Sequence, residues 1–276
     1  VSTGPRARSE LADFLKTRRA HISPADAGLP VAERRHAPGL RREEVALLTG
    51  ISATWYTWLE QARAINPSRQ VVDALARTMR MSAAEHAYVL HLTGHGFAHS
   101  GEGPTRTAPE HVQRLLDALT TSPAYAITHD WSIVAWNQAY ERFYPRIAET
   151  SPANRNLLWL IFTDPYVHEL LADWETDSRR FLTQFRAQAG ARVHDPPFAE
   201  LVQRLREVSE PFRRGWDSHD VDHFTSTERQ FHHPEAGPLL LEHHQLSLSD
   251  CPDLHVVVYT PSPNSDAAGK LIELTA

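Results

Sequence analysis

Arg42-Glu-Glu-Val-Ala-Leu-Leu-Thr-Gly-Ile-Ser-Ala-Thr-Trp-Tyr-Thr-Trp-Leu-Glu-Gln61 is the stretch whose reading decides the first fold of this 276-residue chain. Two helices read over 41–49 and 52–61, hinged at Gly50. A pair of helices crossing at a fixed angle needs a small residue where they meet, a turn residue tolerant of positive φ, and apolar positions on both helices. Ala46 is small, Gly50 follows four residues later, Val45 and Ile51 are apolar, and Tyr56 and Leu59 stand one turn apart. That pattern is a helix-turn-helix. Ser52, Ala53, Thr54, Trp55, Thr57, Trp58 and Gln61 fall off the buried stripe of the second helix. Short polar side chains near its N-terminus suit the approach to base edges, and Gln61 and Arg63 reach bases or phosphates.

Arg18, Arg19, Arg34, Arg35, Arg41 and Arg42 surround this pair, placed to hold phosphates flanking a groove. The helix N-terminus near Arg42 adds a partial positive charge. Further out, 10–20 carries Leu11, Phe14 and Leu15 at helical spacing. Ser23-Pro24 reads as the cap and first turn of a short helix ending at Gly28. Asn66-Pro67 reads the same way before Val71, Val72, Leu75 and Met79. Ser82 and Glu85 form a capping box ahead of Tyr88, Val89 and Leu92. About five helices and no strand pattern make this part all-α. It is also basic: 13 Lys+Arg against 9 Asp+Glu over 1–100, a net +4, whereas 101–276 carries −10. The front is suited to a polyanion, and the back repels one.

Gly94, Gly96, Gly101, Gly103 and Pro104 mark a linker. The expected division is a helix-turn-helix domain over 1–98, a linker over 99–108 and a second domain over 109–276. The second domain reads as α+β. Apolar runs at 124–127 and 133–136 form a hairpin about His129-Asp130, and 239–241, 246–248 and 256–259 read as strands. Between them lie helical stretches, among them the strict spacing of Phe198, Leu201, Val202, Leu205, Val208 and Phe212. Asn137 reads as a helix cap. The aromatic content suggests an apolar cavity lined by Trp136, Tyr140, Trp159, Phe162, Phe181, Phe185 and Trp216, with Arg186 or Arg180 for a carboxylate head. Plain core packing is the competing account of each ring.

Other classes recede. The longest apolar run, 157–162, is far short of the roughly 20 residues a membrane span needs, and no signal peptide is read at the start. Cys251 is the single cysteine, so no intrachain disulfide forms, and a cytoplasmic location is expected. His219-x3-His223 has a zinc-like spacing, with His232-His233 and His243-His244 downstream, yet no cysteine joins them. Exposed histidines on strands are the expectation, with no metal site. No nucleophile elbow, phosphate loop or dinucleotide fingerprint is present, so an enzyme is not expected. A metal-dependent enzyme using the His-rich second domain, or a protein–protein adaptor, stands as the alternative.

Leu40-Arg-Arg-Glu-Glu-Val-Ala46, Trp55-Tyr56-Thr57, Leu59-Glu60-Gln61, Pro38-Gly39 and Leu75-Ala76-Arg77 resemble the MmyB-like regulators, within the wider xenobiotic-response-element (Cro/repressor-like) class. The resemblance implies a five-helix domain acting on double-stranded operator DNA, usually as a homodimer, with no membrane involvement. Carried over by position, Arg42, Ser52, Thr54, Thr57 and Gln61 face DNA and Glu60 is structural. The full candidate interface is Arg18, Arg19, Arg41, Arg42, Ser52, Thr54, Trp55, Thr57, Trp58, Gln61 and Arg63. Trp58 departs from the usual Arg and Ala62 from the usual Gly, the latter costing about 1 kcal/mol if the helix ends left-handed. Pro123-Ala-Tyr-Ala-Ile127 with Trp131, Ile133, Trp136 and Asn137 resembles the opening of a PAS-type domain. That resemblance implies a PAS-like ligand-binding domain holding a small apolar ligand such as a fatty acid, and no other cofactor.

Overall fold

The computed structural model describes residues 4–30, 39–95, 107–189, 196–222, 227–251 and 253–276. The chain divides into two compact units. The first takes in Val1–Ala98, Arg186–Glu200 and Arg214–His223, and the second His99–Phe185, Leu201–Arg213 and Phe224–Ala276. Arg34, Arg35, His223 and most of the expected linker lie outside the described residues.

The N-terminal part of the first unit is helical: α1 (Pro5–His21), α2 (Arg42–Thr49), α3 (Ala53–Glu60), α4 (Arg69–Thr78) and α5 (Ala83–Leu92). Its core gathers Leu11, Phe14 and Leu15 from α1, Val45 and Ala46 from α2, Tyr56 and Leu59 from α3, and Val72, Leu75, Val89 and Leu92 from α4 and α5. Burying a side chain of this size is worth about 1.5–3 kcal/mol, so the apolar stripes drive the packing. Gly50 ends α2 at φ 71°, a left-handed turn that a side chain would strain. Ser82 and Glu85 form the reciprocal cap of α5. Two expectations shift. Ser23–Gly28 folds as hydrogen-bonded turns rather than a helix, with the Ser23 hydroxyl bonded to Asp26. Ser68, not Asn66, caps α4, its hydroxyl accepting from the Val71 amide.

The second unit is built on a five-stranded antiparallel sheet in the order β2-β1-β5-β4-β3. The strands are β1 (Ala124–Thr128), β2 (Ile133–Trp136), β3 (Thr227–His233), β4 (Gly237–Ser247) and β5 (Leu254–Pro261). The run at 239–241 and the first two residues of the run at 246–248 belong to the single long β4, which ends before Leu248, and the polar, histidine-bearing segment before it is β3. β1 lies between β2 and β5, with Tyr125 opposite Val257, and is buried throughout. His233 and His243 are buried, contrary to the expectation of exposed strand histidines, while His232 is exposed and His244 half-buried. The period-2 alternation of a strand explains this split.

Helices carry the chain from β2 to β3: α7 (Gln138–Phe143), α8 (Leu157–Thr163), α9 (Pro165–Leu170), α10 (Trp174–Ala189), α11 (Pro196–Val208) and α12 (Glu210–Asp217). The long apolar spacing from Phe198 to Phe212 is divided by Ser209, whose hydroxyl accepts from the Phe212 amide. α6 (Glu110–Asp117) precedes the sheet and α13 (Ala267–Thr275) follows it. Asn137 does more than cap α7. Its Oδ1 accepts from Tyr140 and Ala124 amides, and its two Nδ2 hydrogens are shared among the carbonyls of Leu116, Leu119 and Ser122. One buried amide thus ties α6, β1 and α7 together.

Candidate functional site

The first unit holds α3 in place from beneath. Ser52 caps it, accepting from the Trp55 amide at 3.1 Å, and the Ile51 amide closes onto Ala46 O. Tyr56, Leu59 and Glu60 are buried. The buried Glu60 carboxylate receives Arg19 Nε at 2.6 Å and Arg42 Nε at 2.6 Å. Arg19 also donates to Leu40 O at 2.9 Å. Burial would raise the Glu60 pKa, but the hydrogen bonds from Arg19 and Arg42 outweigh it and hold the carboxyl below its ordinary value. One carboxylate therefore fixes α1, the start of α2 and the end of α3.

With that face locked, α3 turns Ser52, Thr54 and Gln61 outward, while Trp55, Thr57 and Trp58 are half-exposed. Trp55 packs on the core, and the Thr57 hydroxyl donates back to Ala53 O. Arg63 stacks on the Trp58 ring at 5.6 Å and donates to Gln61 Oε1 at 3.1 Å. Trp58, Gln61 and Arg63 thus form one connected cluster past the end of α3. Ala62 stands at φ 54°, the left-handed conformation that Gly adopts at less cost. Arg41 is exposed and Arg42 keeps 44% of its side chain exposed. Arg18 and Arg19 are engaged inward instead. Arg18 meets Glu85 at 3.0 Å and the carbonyls of Met79 and Arg80, and Arg19 meets Glu60.

The second unit contains a small cavity of about 40 Å³ lined by Tyr140, Phe143, Tyr144, Leu157, Leu160, Ile161, Val167, Leu170, Leu171, Phe181, Phe231 and Tyr259. The rings interlock: Phe143 and Phe231 at 5.0 Å, Phe231 and Tyr259 at 5.3 Å, Tyr140 and Tyr125 at 4.6 Å. Burial raises the Tyr125, Tyr140 and Tyr259 pKa values, so these groups stay neutral phenols. A buried cation stands behind the lining. Arg229 lies 4.1 Å over the Phe181 ring, donates to Asp177 at 3.0 Å and donates to His243 Nδ1 at 3.3 Å. Burial, then the Arg229 charge, pushes His243 well below its ordinary pKa, so the ring is neutral and accepts from Arg229.

Of the residues expected around a ligand, the cavity brings together Tyr140 and Phe181. Trp136 lies under Arg155 and Trp159 under Arg204. Phe162 packs on Trp174 and Phe212, and Phe185 on Trp131. Arg186 and Trp216 belong to the first unit. Arg186 is fully buried there, stacked on Trp216 at 4.0 Å and paired with Glu10 at 2.5 Å. His219, half of the zinc-like spacing, sits 3.4 Å from the same Glu10 carboxylate. Arg180 is exposed, 4.0 Å from Asp177. Arg229 and Asp177 were missed because they are 52 residues apart. A charged residue at an inward position of a strand is the one local signal that marks Arg229.

A model described as MmyB-like transcription regulator ligand binding domain matches residues 108–274, more than half of the chain. The chain belongs to this family. A helix-turn-helix domain model matches residues 10–89, which contain α2 and α3. No curated protein matches the chain. The MmyB-like chain is thus a DNA-binding, ligand-regulated transcription regulator, with the helix-turn-helix ahead of the ligand-binding domain. Among the described residues, no helix of the regulator is long and apolar enough to cross a membrane.

Proposed function

We propose that this regulator reads double-stranded operator DNA with α3, as a homodimer in the cytoplasm, and that a small apolar ligand in the aromatic cavity sets its operator affinity without catalysis. The carrying observation is the two-faced α3: Tyr56, Leu59 and Glu60 locked below, Ser52, Thr54 and Gln61 exposed above. Arg41, Arg42 and Arg63 supply charge for the backbone, and a dimer places two such helices about one DNA turn apart.

The cavity supports the ligand half of the proposal. A water needs roughly 10–15 Å³ of such space, so about 40 Å³ holds only a few atoms as it stands. Any larger guest, a fatty acid included, has to displace walls carried by α8, α9 and β3. A ligand shifts the equilibrium by its preference for the opened arrangement over the closed one. That preference is the available coupling energy.

The test is titration of full-length protein onto DNA from its own locus, over a range of salt and with fatty acids of graded length. Affinity is expected to fall with salt as counterions are released. Thr54→Ala and Gln61→Ala are each expected to weaken operator binding by about 1–3 kcal/mol, roughly 5- to 150-fold, and to relax sequence preference. Binding to no DNA, or binding without salt dependence, overturns the DNA half. Operator affinity indifferent to every ligand that native mass spectrometry finds bound overturns the ligand half.

A further inference from the structure

Away from α3 and the cavity, three different metal-ligating side chains converge on the surface of the second unit. His111 stands in the first turn of α6, and Asp250 and Cys251 lie between β4 and β5. His111 Nε2 is 3.0 Å from Asp250 Oδ2 and 3.8 Å from Cys251 Sγ. All three ligand atoms lie within 4.8 Å of one another. We propose that His111, Asp250 and Cys251 bind a borderline-soft divalent cation of the Zn²⁺ or Co²⁺ class, with water as fourth ligand.

The distances fit such an ion. Bonds of about 2.0–2.2 Å to N and O and about 2.3 Å to S give tetrahedral edges of roughly 3.4 and 3.6 Å. The N–O separation is shorter and the N–S separation longer than those edges by a few tenths of an ångström, and the O–S separation, within 4.8 Å, closes toward about 3.6 Å as the ion binds. The scaffold beneath is fixed. Val112 and Leu116 of α6 are buried with Leu254 and Val256 of β5, and Cys251 packs against the same cluster. The Cys251 amide bonds to Leu248 O, and the Cys251 carbonyl accepts from the Leu254 amide. His111 and Asp250 are exposed and Cys251 is half-exposed, which leaves an entry path.

The donor set decides the class of ion. Thiolate and imidazole select zinc-like metals over magnesium and calcium. Imidazole, carboxylate and thiolate together neutralise one divalent ion. The His111–Asp250 ion pair and the His111–Cys251 hydrogen bond hold the three groups together, already gathered for an ion. Binding expels the thiol proton and pins the start of α6 to the β4–β5 loop.

The experiment uses full-length, reduced, chelator-treated protein titrated with Co²⁺, then Zn²⁺. One equivalent of Co²⁺ is expected to give a thiolate charge-transfer band and intense visible bands of tetrahedral cobalt, both bleached by Zn²⁺. Cys251→Ser is expected to abolish the charge-transfer band, and His111→Ala to weaken affinity at least tenfold. His232→Gln, at an exposed strand histidine, is expected to change neither. The variants lie at the surface, and circular dichroism in chelator checks that they fold. Absence of the sulfur band, unchanged cobalt affinity in His111→Ala, or a stoichiometric metal retained by Cys251→Ser overturns the site.

Discussion

Glu60 in the first unit and Asp177 in the second are both buried carboxylates answered by arginine, and they differ in where the arginine goes. Glu60 takes two, Arg19 with 20% and Arg42 with 44% of the side chain exposed. Asp177, 8% exposed, takes Arg229, 1% exposed, at 3.0 Å, with the exposed Arg180 only at the edge of reach at 4.0 Å. In the first case the acid holds one end of guanidinium groups whose other side reaches solvent beside α3. In the second the charge is sealed among Phe181, His243 and Tyr259. The same chemical pair therefore does two jobs. At the helix-turn-helix it ties α1, α2 and α3 together while Arg42 keeps part of its side chain in solvent, beside the face proposed to meet DNA. Behind the cavity it places a rigid polar group in an aromatic wall, with no net charge to offer.

The sealed pair is the place for the largest effect. Asp177→Ala leaves Arg229 charged and unpaired, and about 3–5 kcal/mol of stability is expected to be lost in a denaturant melt. A loss under 1 kcal/mol would break the comparison. Acid tests the first unit next. Burial alone would raise the Glu10 pKa, but the hydrogen bond from His219, the Arg186 charge and the Tyr88 hydroxyl bring it from 4.5 down to about 2. A carboxyl depressed by folding contributes fully above its unfolded value. That contribution, about 3 kcal/mol, is expected to disappear as pH falls from about 4.5 toward 2. Glu60 acts with the same sign, and calorimetry across this window reads both.

Glu60→Gln is expected to cost about 2 kcal/mol, less than Asp177→Ala, because Arg19 and Arg42 can turn to water when their acceptor loses its charge. Equal costs at the two sites would erase the distinction. The smallest effect is a gain. Ala62→Gly relieves the left-handed φ of 54° after α3 and is expected to add about 1 kcal/mol in a thermal melt. If the gain fails to appear, Trp58, Gln61 and Arg63 are what hold the turn.

The helix-turn-helix was legible because its determinants are local. Caps, a left-handed glycine and stripes spaced by one turn act within a few residues, and Ser52, Gly50, Tyr56 and Leu59 sit where their spacing places them. The structural role of Glu60 came only from the family resemblance, and its partners Arg19 and Arg42 came from the fold. The cavity was hardly legible. Its walls come from α7, α8, α9, α10, β3 and β5, and nothing local tells Phe181, which lines it, from Phe162, which packs on Trp174 and Phe212.

By itself the sequence determined a basic helical unit built on a helix-turn-helix, ahead of an acidic α+β unit rich in aromatic rings, because periodicity, capping and charge are written along the chain. Only the tertiary structure decided which arginines turn inward to Glu60 and Glu85, and which rings enclose the cavity. It also decided that His111 meets Asp250 and Cys251. Partners from 18 to 140 residues apart are chosen by packing and by the cost of leaving a buried charge unpaired, and no local pattern records that choice.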